Sequence, residues 1–321
     1  MLLGISAIAL RVYAALTELN YQTGYYESKV ISTTSGVLTV VAVLIAFSFL
    51  FFGKAHTPAP RPVKASSYIP AGAIVATVLF LSTELFVGLT EVSAASTPGL
   101  RLSIPLLLDV LTALLGLASI IGFFLSIFYE KRENTRKAAY SMATVLFFAA
   151  YAAHLYFDTS MPINSPAKIC DQMAFLLSSV FFLYETRISL GRSIWRAHTA
   201  FGIIASIVCL YSSIPTIIVF FVKGRTISDS LAASILLLLV AVYSIQRVVS
   251  FLVSEPDEKC ATVTALEKLV AKRETELSEG LPHQGYKGKV VINEGVGENY
   301  EMQIPQTQSD DTPTDADAES V

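Results

Sequence analysis

Eight stretches of this chain run for about 20 residues each with almost no charge, and such a run has few places to go. At 1.5 Å per residue, a 20-residue helix spans about 30 Å, the thickness of a bilayer's hydrocarbon core. The runs lie near 2–18, 32–53, 69–90, 102–128, 138–157, 169–187, 198–222 and 229–253. A helix on a soluble core would carry a polar stripe, and these have almost none. Of 321 residues only 15% are charged, against about 25% in an ordinary soluble domain. That shortfall decides for a membrane. The expected fold is all-α: a polytopic transmembrane helix bundle of about eight spans over 1–254. A juxtamembrane amphipathic helix (255–280) and a largely disordered, acidic, cytoplasmic C-terminal tail (281–321) should follow it.

The first run is the weakest. It has no basic residue ahead of it, and Arg11 interrupts its apolar part. That argues against a cleaved signal peptide and for a short first span. If it does not cross, seven spans remain and only the N-terminus changes side.

Topology follows from the bases. One set of loops carries Lys54, Arg61 and Lys64, then Lys131, Arg132, Arg136 and Lys137, then Arg187, Arg192 and Arg196. The alternate set carries Lys29, Arg101, Lys168, Lys223 and Arg225. The richer set should be cytoplasmic, which puts both termini inside. Tyr21, Tyr25 and Tyr26 then serve as outer interface anchors and Trp195 as an inner one. The outer loops hold no glycosylation sequon, since Asn164 is followed by Ser-Pro. With no candidate disulfide either, a bacterial cytoplasmic (plasma) membrane fits best. Cys170, Cys209 and Cys260 have no metal-ligand spacing and read as inert thiols.

Charges inside a bilayer cost about 2.5–3.5 kcal/mol on insertion scales, so they face protein or water. Five polar residues stand out: Arg11, Glu84, Asp109, His154 and Asp171. All fall in the outer half of the expected bundle. Their helical faces carry small and polar residues: Ala73, Ala76, Thr77 and Gly88 for Glu84, and Thr112, Ala113, Gly116 and Ser119 for Asp109. Arg11 shares its side with Gly4, Ala7, Ala15 and Glu18, and Asp171 with Ala174, Ser178 and Glu185. Such faces line helix contacts, which places the five groups inside the bundle. In a structural reading Arg11 pairs with Glu84 or Asp109. In a functional one the cluster lines an outward cavity that binds a small ligand or ion, or relays protons.

Two further features follow from chain chemistry. Pro215 should kink or break the seventh span, with Ser212 and Ser213 at hand for the freed carbonyls. Arg187, Arg192 and Arg196 crowd the inner side, as the positive-inside rule requires, and offer contacts for an anionic headgroup. Residues 257–279 could meet a cytoplasmic protein. No basic patch interleaved with aromatics exists, which disfavours nucleic acid. Zinc-protease, P-loop and G-x-S-x-G signatures are absent, and nothing calls for a cofactor or a metal.

The expectation is a non-enzymatic membrane protein that senses, binds or organises. The alternative is a small-solute or ion transporter using Glu84 and Asp109. A span broken at Pro215 would favour transport. An outer pocket closed at its base would favour binding.

Overall fold

A computed structural model describes residues 2–21, 23–52, 65–95, 104–128, 135–158, 162–189, 195–227 and 230–253. The expected helix 255–280, the tail, Cys260 and Arg192 lie outside the described residues. Eight helices form: α1 (Leu2–Thr17), α2 (Lys29–Phe52), α3 (Ala65–Ala95), α4 (Ile104–Phe128), α5 (Thr135–Phe157), α6 (Pro166–Ser189), α7 (Trp195–Lys223) and α8 (Leu231–Leu252). Among the described residues there is no strand, only an isolated bridge between Leu19 and Tyr26. Seven helices, α2 to α8, are long and apolar enough to cross a bilayer. The sixteen-residue α1 reaches about 24 Å, short of a full crossing.

The helices close a ring. Each of α3 to α8 packs on the next, and α8 returns to α3. Helices α1 and α2 pack on one another and on α7, outside that ring. Burial locates the centre: 50–61% of the apolar window is buried in α6, α7 and α8, but only 22% in α2, α3 and α4. The less buried helices therefore present their apolar sides outward, to lipid.

Aromatic rings fill the middle of the ring. Phe148 on α5 stacks on Phe182 of α6 at 5.1 Å, and Phe123 of α4 meets Phe182 edge-on at 5.4 Å. Tyr243 of α8 covers the same Phe182 at 5.9 Å. Edge-to-face and offset contacts of this kind suit the ring quadrupoles. The interior at this level is packed solid.

Close helix approach needs missing side chains. A Cβ on Gly122 would fall 2.5 Å from the Tyr140 carbonyl oxygen, so α4 and α5 touch backbone to backbone there. A Cβ on Gly202 would meet Val248 at the same distance. With no hydrophobic drive between helices in lipid, such close packing holds them together.

Of the two expected outcomes at Pro215, a kink or a break, the break does not occur. The helix runs unbroken through it. The proline removes one bond, and the four helices packed on α7 (α1, α2, α6 and α8) hold the chain in register across the gap. The serines expected to satisfy the freed carbonyls do other things. Ser212 donates to Asp171, and Ser213 is fully buried.

The loop after α1 folds back on the bundle. Gly24 takes the left-handed turn (φ 70°) that lets Leu19 and Tyr26 meet. Tyr21 donates to the Ala15 carbonyl at 2.9 Å, and the Lys223 ammonium lies 5.2 Å from its ring centroid. Tyr21 and Tyr26 thus pack against the end of α1 and α7, whereas Tyr25 is exposed.

Candidate ligand pocket and the buried charges

The five polar candidates do not form one cluster. Glu84, Asp109 and His154 gather at one end of the ring, where α3, α4, α5 and the start of α8 meet. Arg11 and Asp171 sit apart, between α1, α6 and α7.

At the first place, Asp109 lies on the expected face of α4, and its neighbours Thr112, Ala113, Gly116 and Ser119 are buried. Its Oδ1 is 2.6 Å from His154 Nδ1, one helix over. Glu84 is placed differently from expectation. The packed face of α3 is Ala71, Ile74, Val78 and Leu81, because the aromatic core demands bulk there. Glu84, Ala76 and Gly88 are exposed. The carboxylate stands at a rim rather than in a helix contact. Ser230, the N-cap of α8, accepts from the Ala232 N–H at 3.2 Å and donates to Glu84 Oε2 at 3.3 Å.

Between these groups is an open pocket of about 370 Å³, lined by Leu81, Glu84, Leu85, Gly88, Asp109, Tyr151, His154 and Ser230. Its floor is closed. Leu81 and Tyr151 are buried, and the Tyr151 ring rests on Phe175 at 4.6 Å and on Phe147 at 6.2 Å. The same tyrosine faces the His154 imidazole at 5.5 Å. The pocket is polar at its rim and apolar below.

Arg11 lies on the buried side of α1 with Gly4, Ala7 and Ala15, as its face implied. Its partners are not Glu84 or Asp109. Helix α1 packs on α2 and α7, across the ring from α4. The guanidinium sits 4.3 Å from the Tyr211 ring centroid, a cation–π contact strengthened by exclusion of water. Tyr211 in turn shares a 2.8 Å hydrogen bond with Ser35 of α2. Tyr26, in the loop, is hydrogen-bonded to Arg11; burial pushes its phenol up, against the pull of that guanidinium. Asp171, buried beside them, accepts from Ser212.

This separation has a measurable consequence. A double-mutant cycle with Arg11→Gln and Glu84→Gln, read by unfolding in mixed micelles, is expected to give a coupling below about 0.5 kcal/mol. A coupling of about 1 kcal/mol or more would mean the two charges meet.

A third polar group joins Glu185 to Arg247, a residue the sequence did not bring forward. At the opposite end of the ring, Arg247 of α8 grips Glu185 of α6 with two bonds, Nε to Oε1 at 2.8 Å and Nη2 to Oε2 at 3.0 Å. His198 of α7 holds the same carboxylate from the other side, Nε2 to Oε1 at 2.9 Å. The imidazole lies between Phe181 (5.3 Å) and Phe251 (4.7 Å). Both His198 and Arg247 are buried. Arg187 and Arg196 are half-buried at this end of the bundle. A base at 247 with Ser244 and Ser250 three residues to either side was the available signal.

Comparison with protein-family models, curated proteins and solved structures finds no match to this chain. The chemistry must come from the geometry. Among the described residues, no three His, Cys, Asp or Glu side chains converge as metal ligands would. The open pocket joins two carboxylates, an imidazole and a hydroxyl above an apolar floor. The other two groups are buried and tie helices together.

Proposed function

We propose that this chain is a membrane-embedded binding or sensing protein whose small ligand enters the pocket at Glu84, Asp109 and His154. The observation that carries this reading is a pocket open at the rim and floored by Leu81 and by Tyr151 packed on Phe175 and Phe147. A volume of about 370 Å³ falls at the low end of small-molecule sites, which run from about 300 to 1,000 Å³. By the distribution of bases, the pocket opens outward across a plasma membrane of bacterial type, with the C-terminus inside. The C-terminal segment 257–279 would carry the signal to a cytoplasmic partner.

The reading is non-enzymatic. Asp109 lies 2.6 Å from His154 and Ser230 shares their pocket, but the Ser230 hydroxyl is turned to Glu84. No hydrogen bond joins it to His154 among the described residues, so the pair lacks an activated nucleophile. Transport is the second reading. The unbroken α7 and the packed aromatic layer count against it, since transporter sites are commonly built on discontinuous helices.

Accessibility separates the two. In a background with Cys170, Cys209 and Cys260 replaced, Gly88→Cys places a thiol at the rim, where a Cβ meets nothing within 4 Å. A membrane-impermeant maleimide is expected to label it in intact cells and not in inside-out vesicles. Labelling from both faces would mean that the floor opens, and transport would replace binding as the conclusion.

A further inference from the structure

The charge and shape of the pocket narrow what it can hold. Among the described residues, its acid–base side chains are Glu84 on α3, Asp109 on α4, and His154 and Tyr151 on α5, and no lysine or arginine lines it. Of the described cations in the neighbouring loops, Lys168 donates to the Asp158 carbonyl and Lys223 to that of Leu16, and the exposed Arg225 does not line the pocket. Arg11 lies across the bundle, over Tyr211. His154 takes up Asp109 at 2.6 Å. Glu84 is left with a single neutral donor, Ser230. Among the described residues the lining sets two carboxylates against one imidazole, so negative charge is in excess. The site is complementary to a cation.

Shape then chooses among cations. A dehydrated inorganic ion needs a close shell of oxygens, about six to eight for calcium, at 2.3–2.6 Å. Here Glu84, Ser230 and Asp109 supply few, and they are spread over an open space of about 370 Å³. Half the wall is carbon, from Leu81, Leu85 and Tyr151, which an inorganic ion cannot use. An organic cation uses both parts. Its N–H groups find charge-assisted acceptors at Glu84 and Ser230, and its body covers the apolar floor. Gly88, one turn beyond Glu84 on α3, leaves the approach unobstructed.

We propose that the pocket takes a monovalent primary ammonium borne on a small apolar body. The ammonium sits at Glu84 and Ser230, and the body lies against Leu81, Leu85 and Tyr151. This assignment rests on the binding function proposed above and adds the ligand class to it.

The test uses the purified full chain in detergent, with thermal stability read against four probes: n-butylammonium, tetramethylammonium, sodium and butyrate. Saturable stabilisation by n-butylammonium is expected. Tetramethylammonium, which has no N–H to donate, should bind about ten-fold more weakly. Sodium and butyrate should give no saturable effect. Glu84→Gln should weaken n-butylammonium by about ten-fold or more. Gly88→Leu, which fills the rim where a Cβ meets nothing within 4 Å, should abolish it. Saturable binding of sodium or butyrate that Gly88→Leu removes would overturn the ammonium assignment and leave the pocket a ligand site. The absence of saturable binding for all four probes would overturn the ammonium assignment. If Gly88→Cys also proves inaccessible from both faces, the pocket itself falls. Binding of n-butylammonium unaffected by both variants would place it elsewhere on the protein and overturn the assignment as well.

Discussion

Arg247→Ala is expected to destabilise the bundle by about 3–5 kcal/mol, the cost of stranding one partner of a buried ion pair. Arg247 closes a planar, two-bond grip on Glu185. Without it, among the described residues the carboxylate keeps only His198, beside the rings of Phe181 and Phe251. Arg247→Lys should recover only part of the loss, because a lysine ammonium cannot reproduce the fork. The joint change Glu185→Leu with Arg247→Met should recover most of it, since apolar replacement of a whole buried pair is often neutral or better. Unfolding in mixed micelles, followed by tryptophan emission or helicity, measures all three. If Arg247→Ala unfolded like the wild type, the clamp between α6 and α8 would be idle.

Phe148→Ala is the second large effect, also about 3–5 kcal/mol. Phe148 is fully buried and touches Phe147, Phe175 and Phe182 through ring centroids 5.1–6.0 Å away. Its loss leaves a ring-sized void among side chains that are held from two helices, α5 and α6. The void lies beneath Phe175, on which Tyr151 rests, so the pocket floor should loosen as well. Leu114→Ala supplies the control. That side chain is exposed on the outward side of α4, and its truncation should stay within about 0.5 kcal/mol. Equal losses for the two variants would mean that the aromatic layer does not carry the packing.

Much of the architecture was readable before any coordinates. Long apolar runs leave the backbone no hydrogen-bond partner but itself, so the helices and their approximate bounds follow from the runs. The weakness of the first run was visible too, in its length and in Arg11. Face was readable for Asp109, Arg11 and Asp171, because a helix repeats every 3.6 residues. Which helix stands beside which was not. Arg11 and Glu84 do not share a neighbourhood, since α1 joins α7 and α8 closes the ring onto α3. The face of Glu84 was misjudged because small residues were taken as contact markers. On α3 the contacts are made by Ile74, Val78 and Leu81 against aromatic rings, and the small residues Ala76 and Gly88 border the exposed side. Arg247 vanished into the average of an apolar run, although its buried partner Glu185 had already been noted.

The seat of Arg11 also sets an order of events during synthesis. Helix α1 leaves the ribosome early, yet the ring that receives its guanidinium belongs to Tyr211, on α7. Roughly 200 residues separate the two, or about 10–40 s of translation at 5–20 residues per second. During that interval a short apolar segment with an unmatched positive charge has no stable berth in the hydrocarbon. It waits at the headgroup level, where arginine can reach water. Only the arrival of α7 gives it a place to dock, so the earliest of the eight helices is among the last to be seated.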